Sequence, residues 1–308
     1  MDIGQYTYFG TENNAENIIN LTDNSQIDQL CKNYNSNFFI LGGGSNVLLT
    51  KKDYEDCLFV RNLLKGIEYL GYGYVKVQSG ESLIRLVQRV KDSFNSNVLN
   101  PVYGLPGTVG GAVIGNAGSF GVEMGKYVHT IKYIDETGTI VENRNYTCEY
   151  RNSNLKGRKI VLLEIVFQFD FDTNYCCENT DYYMNWRLKN HECSKTCGSY
   201  FKSNILDVQK DSESINKILK IKDNVIEKFN PNGLEGVDSV KIPVGWLIDM
   251  CGLRGFSQNG VKISEKHGNF IVNYDNKDSN NILNIANLAK EKVYDKFGII
   301  IEEEVVII

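Results

Sequence analysis

The chain has 308 residues, 42% of them hydrophobic and 23% charged, with a formal net charge of −5 and a pI near 5.4. This length can bury two or three hydrophobic cores. The acidic balance argues against a nucleic-acid binder, so an anionic ligand would need a local basic pocket. No apolar run approaches the ~18–20 residues that span a bilayer. Met1–Gly10 has neither a basic n-region nor an apolar h-region, so a cytoplasmic protein with no signal peptide and no membrane partner is expected.

In chain order, Phe38–Leu41, Cys57–Val60 and Val75–Ser79 read as buried strands. Leu83–Asp92 places Leu83, Leu86, Val87 and Val90 on one helical face. Lys132–Ile134 and Ile140–Glu142 flank Asp135-Glu136-Thr137-Gly138, a hairpin signal. Ile160–Phe169 is a long strand. Asp172–Thr180 is polar and irregular, and we place a domain boundary there, giving domains 1–170 and 171–308. Beyond it the patterns predict a helix near Tyr183–Asn190, a polar helix over Ser214–Phe229 and a turn at Pro231-Asn232-Gly233. They also predict a helix at Val244–Cys251, a strand at Phe270–Asn273, a helix over Asn281–Lys296 and a tail strand over Ile299–Ile308. The whole is a mixed α+β chain.

Eight cysteines (Cys31, Cys57, Cys148, Cys176, Cys177, Cys193, Cys197 and Cys251) are scattered without a framework, as free thiols in a reducing compartment would be. Cys193 and Cys197 beside Cys176-Cys177 fit no common zinc spacing, so no metal is expected.

Two glycine-rich segments carry the chemical signal. Leu41–Leu49 follows a predicted strand, and its successive amides can turn into an anion-binding concavity. Ser45 and Asn46 add side-chain donors, and a plain tight turn is the competing reading. Gly104–Gly121 holds seven glycines, more than a packed core would choose, so a ligand or another backbone must lie against it. No G-x-G-x-x-G occurs, and neither segment ends in Gly-Lys-Ser/Thr, which removes the Rossmann fingerprint and the P-loop.

The order LGGGSNVLL, GLPGTVGGAVIGNAG, EYRNS, CGSYFK, GWLID, GLRG, SEKHGNFIVN and a final Glu-Val resembles the UDP-N-acetylenolpyruvoylglucosamine reductase (MurB) family from about Tyr8 to Val305. The resemblance implies a two-part FAD-binding domain of the vanillyl-alcohol-oxidase (PCMH) type followed by an α+β substrate-binding domain. It implies non-covalent FAD, NADPH as co-substrate, a UDP-sugar substrate and a monomer. Gly42, Gly43, Gly44, Ser45 and Asn46, with Gly107, Thr108, Gly110, Gly111, Asn116, Ala117 and Gly118, would lie against the cofactor.

The same resemblance marks Ser199 as a proton donor, and Arg151 and Glu304 as the groups that hold the substrate carboxylate as charge builds on it. Glu302 is the alternative to Glu304, because alternation puts both on one face. Tyr150, Lys189 and Lys202 would contact substrate, the lysines through the diphosphate. On residue type alone, Ser199 reads as a turn serine, Arg151 as a surface ion pair and either lysine as solvated. The chain departs from the family in having Ser203-Asn204 after Lys202, a short stretch between Phe171 and Lys189, and an insertion at Ile205–Lys241. The competing functions are another flavin oxidoreductase of the same FAD-binding superfamily, and a nucleotide-binding protein that kept the fold without the chemistry.

Overall fold

The computed structural model describes residues 1–23, 25–32, 37–170, 177–221, 225–230, 234 and 237–308. The expected turn at Pro231-Asn232-Gly233, and Cys176, lie outside the described residues. By contact the chain forms two units. The first is Met1–Tyr6, Asn13–Ser45 and Asp53–Lys189; the second is Thr7–Glu12, Asn46–Lys52 and Asn190–Ile308.

The first unit contains two main sheets and two small two-stranded ones. Asn14–Leu21, Asp53–Asn62 and Asn37–Leu41 form a parallel sheet with Asp53–Asn62 in the centre. Parallel neighbours need a crossover, and the helix Ser25–Lys32 lies between the two outer strands in sequence. The flanking strand Asn14–Leu21 is half polar and has no clean alternation, so its pattern does not announce it. The second sheet is antiparallel, in the order Ile140–Asn143, Val128–Ile134, Val161–Gln168, Tyr74–Gln78, Ile67–Gly71. The predicted hairpin pairs Ile134 with Ile140. The helix Leu83–Phe94 buries Leu83, Leu86, Val87 and Val90 against Val75, Val77, Ile165 and Phe167 of this sheet. It ends at Asn95, whose left-handed φ of 51° turns the chain out.

In the second unit the helix Ser279–Phe297 is the spine. Asp278 caps its first turn through the Asn280 N–H at 2.9 Å, and Gly298, at φ 72°, closes its last. Ile282, Ile285, Ala286, Ala289 and Val293 are buried against Leu247, Ile248, Val261 and Ile263. A small antiparallel sheet, Ser257–Gln258, Val261–Ile263 and Ile271–Asn273, supports Asn269 and Phe270. Of the expected polar helix over Ser214–Phe229, Ser212–Ile221 and Val225–Phe229 are helical, with residues 222–224 outside the described residues, and a two-stranded sheet joins Asn204–Asp207 and Ser239–Ile242. The expected tail strand is also interrupted. Only Val306–Ile307 is regular strand, pairing parallel with Val47–Leu48, while Glu303 bridges to Phe201. One tail thus serves two partners.

Candidate active site

In the first unit the two glycine segments meet backbone to backbone. A Cβ on Gly42 would lie 2.6 Å from Thr108 Oγ1, and one on Gly43 2.7 Å from Gly107 Cα. One on Gly107, at φ 110°, would lie 2.6 Å from Ser45 Oγ. Gly43 is nevertheless exposed, so the bare backbone faces outward. This is a cradle that side chains would fill, and it fits a dinucleotide diphosphate held on amides. Gly44 takes φ 62° at the turn, and Ser45 Oγ donates to the Pro106 carbonyl at 3.3 Å.

The second segment divides by role. The Gly110 N–H donates to the Ser79 carbonyl at 2.7 Å, and a Cβ there would meet Ser79 at 2.9 Å, so this glycine admits a strand. The Gly111 N–H donates to Thr108 Oγ1 at 3.3 Å, the N-cap of the short helix Val109–Ile114. Asn116 is wholly buried: its Nδ2 donates to the Glu149 carbonyl at 2.7 Å, and its Oδ1 accepts from the Gly125 N–H at 2.9 Å. The Ala117 N–H donates to the Ala112 carbonyl at 2.7 Å. Gly118 sits opposite Glu123 in a tight hairpin, and its carbonyl accepts from Arg151 Nη2 at 2.9 Å.

Asn116 and Gly118 therefore hold the segment that carries Arg151. Arg151 itself has a left-handed φ of 55°, which costs a non-glycine residue about 1–2 kcal/mol. Lys156 Nζ, donating to the Arg151 carbonyl at 3.0 Å, helps to hold that conformation. The guanidinium lies 5.0 Å from the centre of the half-buried Tyr150 ring. Lys189 is exposed in the last turn of Thr180–Asn190.

Ser199 and Glu304 both belong to the second unit. Gly198, at φ 75°, turns the chain into Ser199, which bridges to Phe270. The Glu304 N–H donates to the Tyr200 carbonyl at 2.8 Å, so Glu304 lies one rung from Ser199. The three tail glutamates have different surroundings. Glu302 is exposed and ion-paired to Lys202 at 3.1 Å, Glu303 pairs with Lys290, and Glu304 is half-buried. The Asn46 side chain donates to the Glu304 carbonyl at 3.1 Å.

Beneath Ser199 lies a ring cluster. Phe270 packs 4.7 Å from His191 and 4.9 Å from His267, centre to centre. Burial pushes His267 below the ordinary imidazole value, and its Nδ1 accepts from the Asn269 N–H at 3.2 Å, which requires a neutral ring. Burial also raises the Tyr200 hydroxyl, and pushes the Cys197 thiol up to about 12, so this cysteine is inert at neutral pH.

Sequence reasoning missed Arg187. It is buried, donates from Nη2 to the Pro101 carbonyl at 2.8 Å and to Ser119 Oγ at 2.9 Å, and lies 5.4 Å from the Phe120 ring centre. Desolvation lowers it to about 10. The sequence shows only an arginine on a polar helix, and burial alone distinguishes it. Asn269 was missed likewise, inside a motif read only as a whole.

Residues 189–308 match the family model of the UDP-N-acetylenolpyruvoylglucosamine reductase C-terminal domain, and residues 20–144 match that of an FAD binding domain. The chain is 31% identical to the UDP-N-acetylenolpyruvoylglucosamine reductase of Fusobacterium nucleatum over 278 residues, covering 89% of this chain and 85% of that one. It is 31% identical to the Aquifex aeolicus protein of the same name over 274 residues, covering 88% and 80%. The fold is similar to the crystal structure of the reductase from Thermus caldophilus, with a TM-score of 0.69 at 21% identity over 100% of this chain and 97% of that one. The chain belongs to the UDP-N-acetylenolpyruvoylglucosamine reductase family.

Proposed function

We propose that this chain is a cytoplasmic UDP-N-acetylmuramate dehydrogenase, reducing UDP-N-acetylglucosamine enolpyruvate to UDP-N-acetylmuramate, a peptidoglycan precursor, with NADPH as co-substrate. The observation that supports the reading is that Glu304 is bonded through its backbone to Tyr200, the residue after Ser199, in a family member. The amides of Gly42–Ser45, with Gly107 and Thr108, would hold FAD. Held there, the cofactor would supply the hydride chemistry that links NADPH to the terminal carbon of the enolpyruvyl double bond.

The remaining tasks fall to side chains. Arg151 pairs with the substrate carboxylate and absorbs the negative charge that builds there. Glu304, protonated, hydrogen-bonds the same carboxylate. Ser199 gives its hydroxyl proton to the carbon next to that carboxylate, a transfer a weak acid can make only to a carbanion-like centre at hydrogen-bond distance. Tyr150 lines the wall beside Arg151. Lys189 and Lys202 neutralise the UDP diphosphate. The Lys202–Glu302 pair is largely solvated, so exchanging Glu302 for a phosphate oxygen costs little.

The test separates the two half-reactions. Anaerobic NADPH should bleach the flavin, and the UDP-enolpyruvyl sugar should then restore its absorbance. Ser199→Ala should keep the bleaching and lose the restoration. Wild-type turnover in Ser199→Ala removes the serine from the mechanism, and a protein that takes up no FAD removes the reading altogether.

A further inference from the structure

The helix Thr180–Asn190 departs from the pattern of an ordinary surface helix, which keeps its apolar residues on one face. Its inner face carries Tyr183 and Arg187, both buried. Its outer face, at helical spacing, carries Tyr182, Trp186 and Lys189. Tyr182 is 46% exposed, Trp186 is half-buried and Lys189 is exposed. Two aromatic rings and a cation thus share the side on which a surface helix ordinarily places polar residues.

Against this helix stands Phe120, at the tip of the hairpin in which Ser119 faces Val122. Its φ is 49° and that of Gly121 is 83°. A two-residue turn of this hand prefers asparagine, aspartate or glycine at its first position, and a bulky ring there is an outlier. Such strain gathers at ligand clamps and persists only where the surroundings hold it. Here they do. The Phe120 ring lies 5.1 Å from that of Tyr183 and 5.0 Å, edge-on, from that of Trp186, with the Arg187 guanidinium 5.4 Å from its centre. Tyr182 stands edge-on to Tyr183 at 5.2 Å. Even so, Phe120 remains 46% exposed. Arg187 brings a positive charge to the cluster: its buried Nε makes no hydrogen bond, and no carboxylate among the described residues pairs with it.

We propose that Phe120, Tyr182 and Trp186 form an aromatic platform for the uracil ring of the UDP-sugar, with the diphosphate on Lys189. This rests on the substrate reading above. Along the helix Lys189 follows Trp186 by about 4.5 Å and Tyr182 by about 10 Å, a spacing that a nucleoside can bridge from its base to its phosphates. A flat pyrimidine stacks on ring faces that water would otherwise cover. The unpaired charge of Arg187 draws an anionic ligand to the same place.

The experiment measures UDP binding to the full-length, FAD-loaded protein by calorimetry, together with the steady-state constants for the UDP-enolpyruvyl sugar. Tyr182→Leu and Trp186→Leu keep apolar bulk and lose the ring. Each should weaken UDP roughly 5–100-fold, the scale of one base–aromatic stack. KM for the sugar should rise in parallel while kcat holds within about 2-fold, because binding lost equally from substrate and transition state appears in KM. Tyr182→Phe and Trp186→Phe should stay within about 3-fold of wild type, because any aromatic ring offers a face for stacking. A merely structural role at the exposed Tyr182 would not separate leucine from phenylalanine.

Wild-type UDP affinity in Tyr182→Leu overturns the proposal, and Tyr182 decides alone if Trp186→Leu does not fold. If Tyr182→Leu raises only the KM for NADPH, the face belongs to the dinucleotide; if it dissolves a dimer and leaves UDP affinity unchanged, a second copy covers the face. Either result overturns the platform and leaves the substrate reading standing. A wild-type protein that binds no UDP and is not reoxidised by the UDP-enolpyruvyl sugar sinks the substrate reading, and the platform with it.

Discussion

Gly43 shows how a single residue carries function without a side chain. It is exposed, so a substitution there would ordinarily be harmless, yet its missing Cβ lies 2.7 Å from a backbone atom, Gly107 Cα. Backbone cannot swing aside as a flexible side chain can. Gly43→Ala should therefore push the two glycine segments apart at a cost of about 1–3 kcal/mol, weakening FAD binding roughly 10–100-fold. Fluorescence titration of the apoprotein with FAD measures this, and an unchanged affinity would show that the cradle is not the cofactor's. Glycine content alone pointed to this cradle, whereas it did not show that Gly110 serves Ser79 or that Gly118 serves a hairpin. A glycine has no pattern beyond its own position, so its neighbour must be seen. Arg187 was illegible for the opposite reason. Its sequence context is that of a solvated helix arginine, and only the surrounding fold makes it buried.

Elements with a strong period were legible nearly to their ends. The predicted Leu83–Asp92 is Leu83–Phe94, and the predicted Asn281–Lys296 is Ser279–Phe297. Each buries a continuous apolar face, and the second stops at a glycine. The strand Asn14–Leu21 escaped because its place comes from pairing with Asp53–Asn62 and not from alternation. The segment 264–273 lends itself to a pH test. His267 faces Asp249, Arg254 and the His191 ring, and burial outweighs the favourable charge of Asp249. Its folded value lies below the unfolded value of about 6.5, so the unfolded chain binds the proton more readily. The resulting stability is fully present above about pH 6.5 and is lost as pH falls toward the folded value. The denaturation midpoint of wild type should drop over this interval more steeply than that of His267→Gln, which cannot take up the proton. Parallel pH profiles for the two proteins would remove His267 as the cause. Protonation would also turn Nδ1 into a donor facing the Asn269 N–H, loosening the residue that holds Phe201.

Across the whole molecule, chain order and contact do not coincide. Residues 7–12 and 46–52 pack with the second unit although the residues around them pack with the first. Residues 20–144 match an FAD binding domain, and the three histidines, His129, His191 and His267, all lie outside the two glycine segments. Denaturation with acid should therefore release the flavin into the supernatant, whereas flavin that stays with the precipitated protein would indicate a covalent tether and a different enzyme of the superfamily.

The sequence by itself determined the family, the cofactor class and the long helices, and it singled out Arg151, Ser199 and a tail glutamate as candidates. Those signals are local motifs, or periods that repeat within a few turns. Only the tertiary structure decided which glutamate pairs with which lysine, which glycines face outward, and which asparagine bonds the tail. Asn46 and Glu304 are 258 positions apart, and nothing in either neighbourhood encodes a bond that exists only after both strands have packed.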